Sequence, residues 1–222
     1  MDDLDLTESL RQAKNGDERG FAVLWRALQP PVLRYLRVVV GDAAEDVAAE
    51  TWLQVARDFA MFRGDPDRFR AWLFAIARNR ALDELRRSGR RREDATEPSE
   101  LPVLLTGPDA GDEALAWLAT ESALRLIATL PPDQAEAVAL RIVAGLNPKQ
   151  TATVLGKRPG AVRVAALRGL RRLAEQLREA AEPGTGLRRP PPDVTWPGVR
   201  NVPVQRVGHR RPAEPPAGGV TR

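Results

Sequence analysis

The chain has no cysteine, one tyrosine and a single histidine, His209. Disulfides, thiol nucleophiles and cysteine-ligated zinc are therefore excluded. That histidine lies in a tail rich in proline and glycine, so a histidine-based triad is not expected, and a single histidine rules out any two-histidine metal site. Neither common type of Gly-rich phosphate loop is present. The amino terminus, MDDLDLTESL, is acidic and has no apolar stretch of the kind a secretory signal needs, and the longest apolar runs are far too short to span a bilayer. A cytoplasmic protein without membrane insertion is expected, with no metal, no organic cofactor and no catalytic residue. Lysine is scarce too: Lys14, Lys149 and Lys157 stand alone, so arginine carries almost all the positive charge.

What is present is helical. Glycine and proline divide the sequence into segments whose apolar residues recur three and four apart, and no convincing two-residue alternation appears. A short helix is expected over residues 6–14, ending at Asn15-Gly16. A second covers residues 21–40, with Phe21, Leu24, Trp25, Leu28, Val32, Tyr35, Leu36 and Val39 on its apolar side and a kink at Pro30-Pro31. A third covers residues 43–62, with Val47, Thr51, Val55 and Phe59 in one stripe. A fourth starts at Asp65-Pro66 and stops at Ser88-Gly89. Helical spacing returns over residues 113–129, and Pro131-Pro132-Asp133 opens the next helix, with Asp133 and Glu136 at capping-box spacing.

Charge is segregated along this string. The net formal charge of +4 conceals ten bases against four acids over residues 63–92, then seven acids and no base over residues 93–113. Residues 93–112 hold three prolines and two glycines and read as a flexible acidic linker. Residues 182–222, rich in proline and arginine, read as a disordered tail. Two basic blocks around an acidic spacer suggest two nucleic-acid-facing domains.

The second basic block has the more specific pattern. LNPKQTATVLGKRPGAVRVAALRGLRRL, residues 146–173, reads as helix, glycine turn, helix. Eight bases and no acid lie between Arg141 and Arg172. Asn147 suits the N-cap, Pro148 the first helical position and Gln150 the reciprocal capping box. Gly156 breaks the first helix and Pro159 opens the second. Such a pair can place its second helix in a DNA major groove, with basic side chains on phosphates. On that helix Val162, Ala166, Leu170, Leu173 and Leu177 are expected to face the core. Gly160, Arg163, Val164, Leu167 and Arg171 fall on the opposite side. Taken alone, these residues also suit an ordinary helix-turn-helix regulator, or a helical scaffold whose basic face binds RNA.

The first basic block separates these readings. DAAEDVAAETWLQVARDFAMFRGDPDRFRAWLFAIARNRALDELRR, residues 42–87, resembles region 2 of the bacterial RNA polymerase sigma factors, most closely the extracytoplasmic-function (group 4) type. LPPDQAEAVALRIVAGLNPKQTATVLGKRPGAVRVAALRGLRRL, residues 130–173, is similar to region 4 of the same family. The resemblance implies an all-α, two-domain initiation subunit. Region 2 would occupy residues 6–92, the linker 93–112, region 4 113–181 and the tail 182–222. It implies two partners, core RNA polymerase and promoter DNA, and commonly a third, an anti-sigma factor.

It also implies roles for residues. Asp46, Glu50 and Gln54 match the positions that dock on the clamp helices of the polymerase's largest subunit; Ala49 stands where the family usually has Gln. FRGDPDRF, residues 62–69, matches the loop that holds a flipped base of the −10 element. With it go Phe62, Arg63, Gly64 and Asp65, and, on the following helix, Arg70, Trp72, Arg78, Asn79, Arg80 and Arg86. Lys157, Arg158, Arg163, Val164, Leu167, Arg168 and Arg171 match the −35-reading surface. The family commonly has a polar residue at the place of Val164, often Arg at Ala165, and His or an aromatic at Leu167, so the −35 preference does not follow from these positions.

Overall fold

The computed structural model describes residues 3–94 and 111–181, all in helices, turns and short connections, with no strand among them. The tail expected to be disordered, and all but the edges of the expected linker, lie outside the described residues. Helix α1 spans Asp3–Lys14, α2 Glu18–Val40, α3 Ala44–Asp58 and α4 Pro66–Asp94. Then come α5 (Gly111–Ala128), α6 (Pro132–Val138), α7 (Pro148–Leu155) and α8 (Pro159–Ala181).

The local rules that start and stop these helices are visible in the backbone. Gly16, at φ +86°, ends the turn after α1, and the Asp17 carboxylate caps α2 by accepting from Arg19 N at 2.9 Å. α2 continues through Pro30 and Pro31, and Gly41 closes it by donating its N–H to the Arg37 carbonyl. Leu24, Leu28, Val32, Tyr35, Leu36 and Val39 are buried along α2, whereas Trp25 is 44% exposed. Along α3 and into the 3-10 turn that follows it, the stripe of Val47, Thr51, Val55 and Phe59 is buried as its spacing predicts.

Three expectations need correction. α4 does not stop at Ser88-Gly89 but runs on to Asp94. Arg87 and Arg91 both pair with Glu84, and side-chain pairs three and seven residues apart hold the helix across the glycine. Asp133 and Glu136 form no capping box: the N-cap is Pro131, which has no side-chain acceptor. Asp133 instead pairs with Lys157 at 2.7 Å, and Glu136 is buried elsewhere. In α8 the buried face is Val162, Ala166 and Gly169, with Leu173 half-buried, while Leu170 and Leu177 are 41% and 58% exposed. Gly169 is the reason. A Cβ there would stand 2.7 Å from Val138 Cγ2, so the missing side chain lets α8 lie close on α6.

The two helical units expected from the sequence share one core. Helix α2 packs against α3, α4 and α5, and α4 packs against α7. Tyr35 meets Phe74 edge-on at 5.7 Å in the middle of this assembly. Leu140, from a π-helical turn at Ala139–Val143 that extends α6, is fully buried in the same cluster.

Candidate nucleic-acid and protein interfaces

The helix-turn-helix is built as its sequence requires. Asn147 Oδ1 accepts from Lys149 N at 3.0 Å and Gln150 N at 2.9 Å, and Gln150 Oε1 accepts from Asn147 N at 2.6 Å. Gly156 takes the left-handed conformation, φ +63° and ψ 32°, and its N–H satisfies the last carbonyls of α7. Thr151, Val154 and Leu155 are buried beneath α8. This leaves Arg158, Arg163, Val164, Leu167, Arg168 and Arg171 exposed along one side of α8 and its entry turn. Among the described residues none of Arg163, Arg168 and Arg171 sits in an ion pair. Their guanidinium groups are therefore available to phosphate oxygens or base edges. Lys157 is different, because Asp133 holds its ammonium.

A second surface lies where α3 meets the outer end of α4. Asp46 and Ala49 are exposed and Glu50 is half-buried, one helical turn from Asp46. Together with Glu84, Arg87 and Arg91 they line an open groove. Glu50 faces Arg87 at 3.5 Å, and Gln54 Oε1 accepts from both Nε and Nη2 of Arg80. Gln54, expected to dock on polymerase, is thus bonded to Arg80, expected to follow the −10 strand.

The loop from Phe62 to Asp65 joins α3 to α4. Phe62 is buried, edge-on to Phe69 at 5.4 Å and tilted against Trp72 at 5.1 Å, with the Lys14 ammonium 5.2 Å from its ring centre. Gly64 has φ +157°, and a Cβ there would lie 2.9 Å from Arg68 Cβ. The Asp65 carboxylate caps α4 through Arg68 N at 2.8 Å, and Arg63 folds back on the carbonyls of Ala60 and Phe62. Trp72 is half-buried between two rings, forming a wall rather than a free platform.

On α4 itself the expected DNA-reading residues divide. Asn79 and Arg80 are half-buried, and Arg86 pairs with Asp83 at 2.8 Å. Arg70 donates from Nη2 to the Ala144 carbonyl at 2.8 Å, across to the second half of the chain. Arg78 does not face solvent at all. It is buried, with Nε 2.7 Å from Glu136 Oε1 and Nη2 3.1 Å from Oε2. Tyr35 donates its hydroxyl to the same Oε1 at 3.3 Å. Burial, reinforced by the Glu136 charge, pushes the Tyr35 phenol well above its usual range. For Arg78 burial alone would disfavour the cation, but the hydrogen bond and charge of Glu136 outweigh it and hold the guanidinium protonated.

Sequence reasoning missed Glu136 and Tyr35 as polar partners. The available signal was one acid inside the apolar run AEAVAL and one base inside FAIAR. A buried charge demands an opposite partner, but nothing local links residues 58 apart in sequence.

Two sequence families match the chain: Sigma-70 region 2 over residues 24–91 and Sigma-70, region 4, over residues 120–173. The chain is 33% identical over 180 residues to the ECF RNA polymerase sigma factor SigD of Mycobacterium tuberculosis (strain ATCC 25618 / H37Rv), covering 77% of this chain and 83% of that protein. With BldN of Streptomyces coelicolor, another ECF RNA polymerase sigma factor, it shares 33% identity over 178 residues, 79% of this chain and 67% of that one. Among solved structures it is similar in fold to CnrH in complex with the cytosolic domain of CnrY, with a TM-score of 0.55 at 22% identity, over 80% of this chain and 99% of that one. It is similar again to the sigma factor RpoE in complex with the anti-sigma factor NepR from Bartonella quintana, with a TM-score of 0.54 at 22% identity, over 71% and 96%.

Proposed function

The chain belongs to the extracytoplasmic-function sigma factors of bacterial RNA polymerase, and we propose that its surfaces divide the work of promoter recognition as follows. As an initiation factor it binds core polymerase, directs it to promoters and opens the −10 region. Asp46, Glu50 and Gln54 form the docking edge for the polymerase, where acidic groups meet a basic partner. Arg158, Arg163, Val164, Leu167, Arg168 and Arg171 lie along duplex DNA at the −35 element. Arginines bind phosphates or guanine edges, and Val164 and Leu167 meet thymine methyls. Lys157 joins them if the duplex displaces Asp133.

The loop at Phe62, Arg63, Gly64 and Asp65 borders the flipped −10 base, with Trp72 supporting Phe62. Asn79 reads a base edge once the strand is unpaired, and Arg70, Arg80 and Arg86 follow the single strand. The chain acts in the cytoplasm and has no catalytic activity of its own; RNA synthesis is the polymerase's chemistry. An anti-sigma factor is its regulatory partner, as NepR is the partner of RpoE in the solved complex of similar fold.

The observation that carries this reading is the exposed, unpaired arginine face of α8, in one chain with the acidic edge of α3 and the Phe62 loop. Run-off transcription tests it. Core polymerase should give discrete transcripts from genomic fragments only when this chain is added; binding of duplex without any transcript would favour a conventional helix-turn-helix regulator.

A further inference from the structure

Lys14 is the last residue of α1, a helix that lies wholly before residue 24, where the match to Sigma-70 region 2 begins. Packing sets its position. Leu6, Leu10 and Ala13 are buried along one side of α1. On α2, a Cβ at Gly20 would stand 2.6 Å from Ala13 N, so glycine is what lets the last turn of α1 lie this close. With Ala13 held there, the Lys14 side chain reaches the loop between α3 and α4. Its ammonium lies 5.2 Å from the centre of the Phe62 ring, within the ~6 Å range of a cation–π contact, and donates to the Gly64 carbonyl at 3.4 Å.

Arg68 meets the same glycine from the first turn of α4. A Cβ on Gly64 would lie 2.9 Å from Arg68 Cβ and 3.1 Å from its Cδ, so the arginine stem packs against the bare Cα. Lys14 and Arg68 are both exposed, and among the described residues neither is held in an ion pair. The neighbouring acids are engaged by N–H donors. Asp65 Oδ1 accepts from Arg68 N, and Asp67 Oδ1 accepts from Gln150 Nε2. Arg63 is turned back on the carbonyls of Ala60 and Phe62. Two free cations from two different helices therefore converge on Gly64.

A base that flips into a pocket brings its own phosphates to the mouth of that pocket. Their charge calls for cations at the rim, where single-stranded backbone is tracked. The Lys14 ammonium suits this task better than it suits base reading. It is a compact point charge with three donors, one of which goes to Gly64, and it lacks the planar fork that pairs with a base edge. Arg68 has that fork, which a phosphate accepts equally well.

We propose that Lys14 and Arg68 form a phosphodiester-binding site at the mouth of the Phe62–Asp65 loop, holding the backbone of the unpaired −10 strand beside the flipped base. Helix α1 is then part of the promoter-opening surface as well as part of the core. This rests on the assignment of that loop to the −10 strand.

Binding of the full-length protein to short, fluorescein-labelled single-stranded DNA of mixed sequence, followed across a salt series, tests the site. Each phosphate contact on a single strand contributes about 0.7 to the slope of log affinity against log salt. Lys14→Met keeps the stem over Phe62 and removes the charge, so it should weaken binding and reduce the slope by about 0.7. Arg68→Met should do the same, and the two together should remove about 1.4. Lys14→Arg should keep the wild-type slope. Arg26→Met, an equal loss of charge at an exposed position on α2, should leave the slope unchanged. An unaltered slope with Lys14→Met overturns the site. So does an equal loss with Lys14→Arg, which would mark a packing role, or an equal loss with Arg26→Met, which would mark net charge alone. Run-off transcription by the wild type with core polymerase separates this from the sigma reading. Transcripts without a slope change sink the phosphate site alone, whereas a slope change without transcripts sinks its assignment to a promoter strand.

Discussion

Gln150 does two jobs with one side chain. Its Oε1 closes the capping box at Asn147 N, and its Nε2 reaches Asp67 Oδ1 at 3.0 Å and the Asp67 carbonyl at 3.2 Å, in the first turn of α4. The residue that starts the DNA-binding motif therefore also seats that motif on the other half of the chain.

Two substitutions separate these jobs. Asn147→Ala removes the acceptor for two α7 N–H groups and should lower stability by about 1 kcal/mol. Gln150→Ala should lose a similar amount from the cap and, in addition, loosen the seat on Asp67. With a fluorescent pair on cysteines introduced at the exposed positions Arg57 and Glu175, only Gln150→Ala should lower energy transfer. Equal transfer in both variants would mean that the Asp67 contact does not help to seat α7 on α4.

Tyr35 is the only tyrosine, so its titration can be followed directly by phenolate absorbance. Its pKa in the folded protein is raised by burial and by Glu136, above an unfolded value of about 10. The sign follows from linkage. The native state holds this proton more tightly than the unfolded chain, so the contribution to stability is complete below about pH 10 and declines as pH rises beyond it. Phenolate should therefore appear only together with the loss of helical signal. In a Glu136→Gln protein it should appear at lower pH. Titration at the ordinary value in the folded wild type would contradict the buried hydrogen bond.

Core binding should respond to charge on α3. Asp46→Arg with Glu50→Arg should weaken affinity for core polymerase by at least about tenfold while leaving the melting temperature close to wild type, since neither side chain is in the core. The second change also puts a like charge beside Arg87, so a small loss of stability is expected. Pull-down on core polymerase at moderate salt reads the result, and unchanged affinity would remove this edge from the docking surface.

Duplex recognition should respond to α8 alone. Arg163→Ala should cost about 1–3 kcal/mol if the guanidinium reads a base edge, and the loss should depend on sequence. Arg168→Ala or Arg171→Ala should weaken binding to all sequences alike and reduce the salt slope by about one if each holds a phosphate. Affinity on matched and scrambled −35 duplexes across a salt series distinguishes the two. Identical behaviour of all three variants would leave the α8 face without base readout.

Much of this molecule was legible from short-range pattern. The cap at Asn147-Pro148-Gln150, the left-handed Gly156 and the stripe of Val47, Thr51, Val55 and Phe59 are each fixed within one or two helical turns. The start of α4 at Asp65 is fixed in the same way, and all of them appear where spacing places them. The end of α4 was not legible, because Gly89 is a weak stop that pairing of Arg87 and Arg91 with Glu84 overrides. The outward turn of Leu170 depended on Gly169 meeting Val138, a contact between helices that no single-helix pattern contains. The same holds for the site. Spacing and resemblance put the exposed arginines on α8 and the acids on α3. They also put Arg78 among residues reading DNA, because its capture by Glu136 belongs to tertiary packing.

The most direct test is permanganate reactivity of thymines in sheared genomic DNA from the source organism, incubated with core polymerase, with this chain, and with both. Unpaired thymines should appear at one recurrent motif only when both are present, about 25 base pairs from sequences protected by α8. They should fade with Asn79→Ala, while recruitment persists. Reactivity with polymerase alone, or protection by this chain alone with no unpairing when polymerase is added, would contradict its role as a promoter-opening sigma factor.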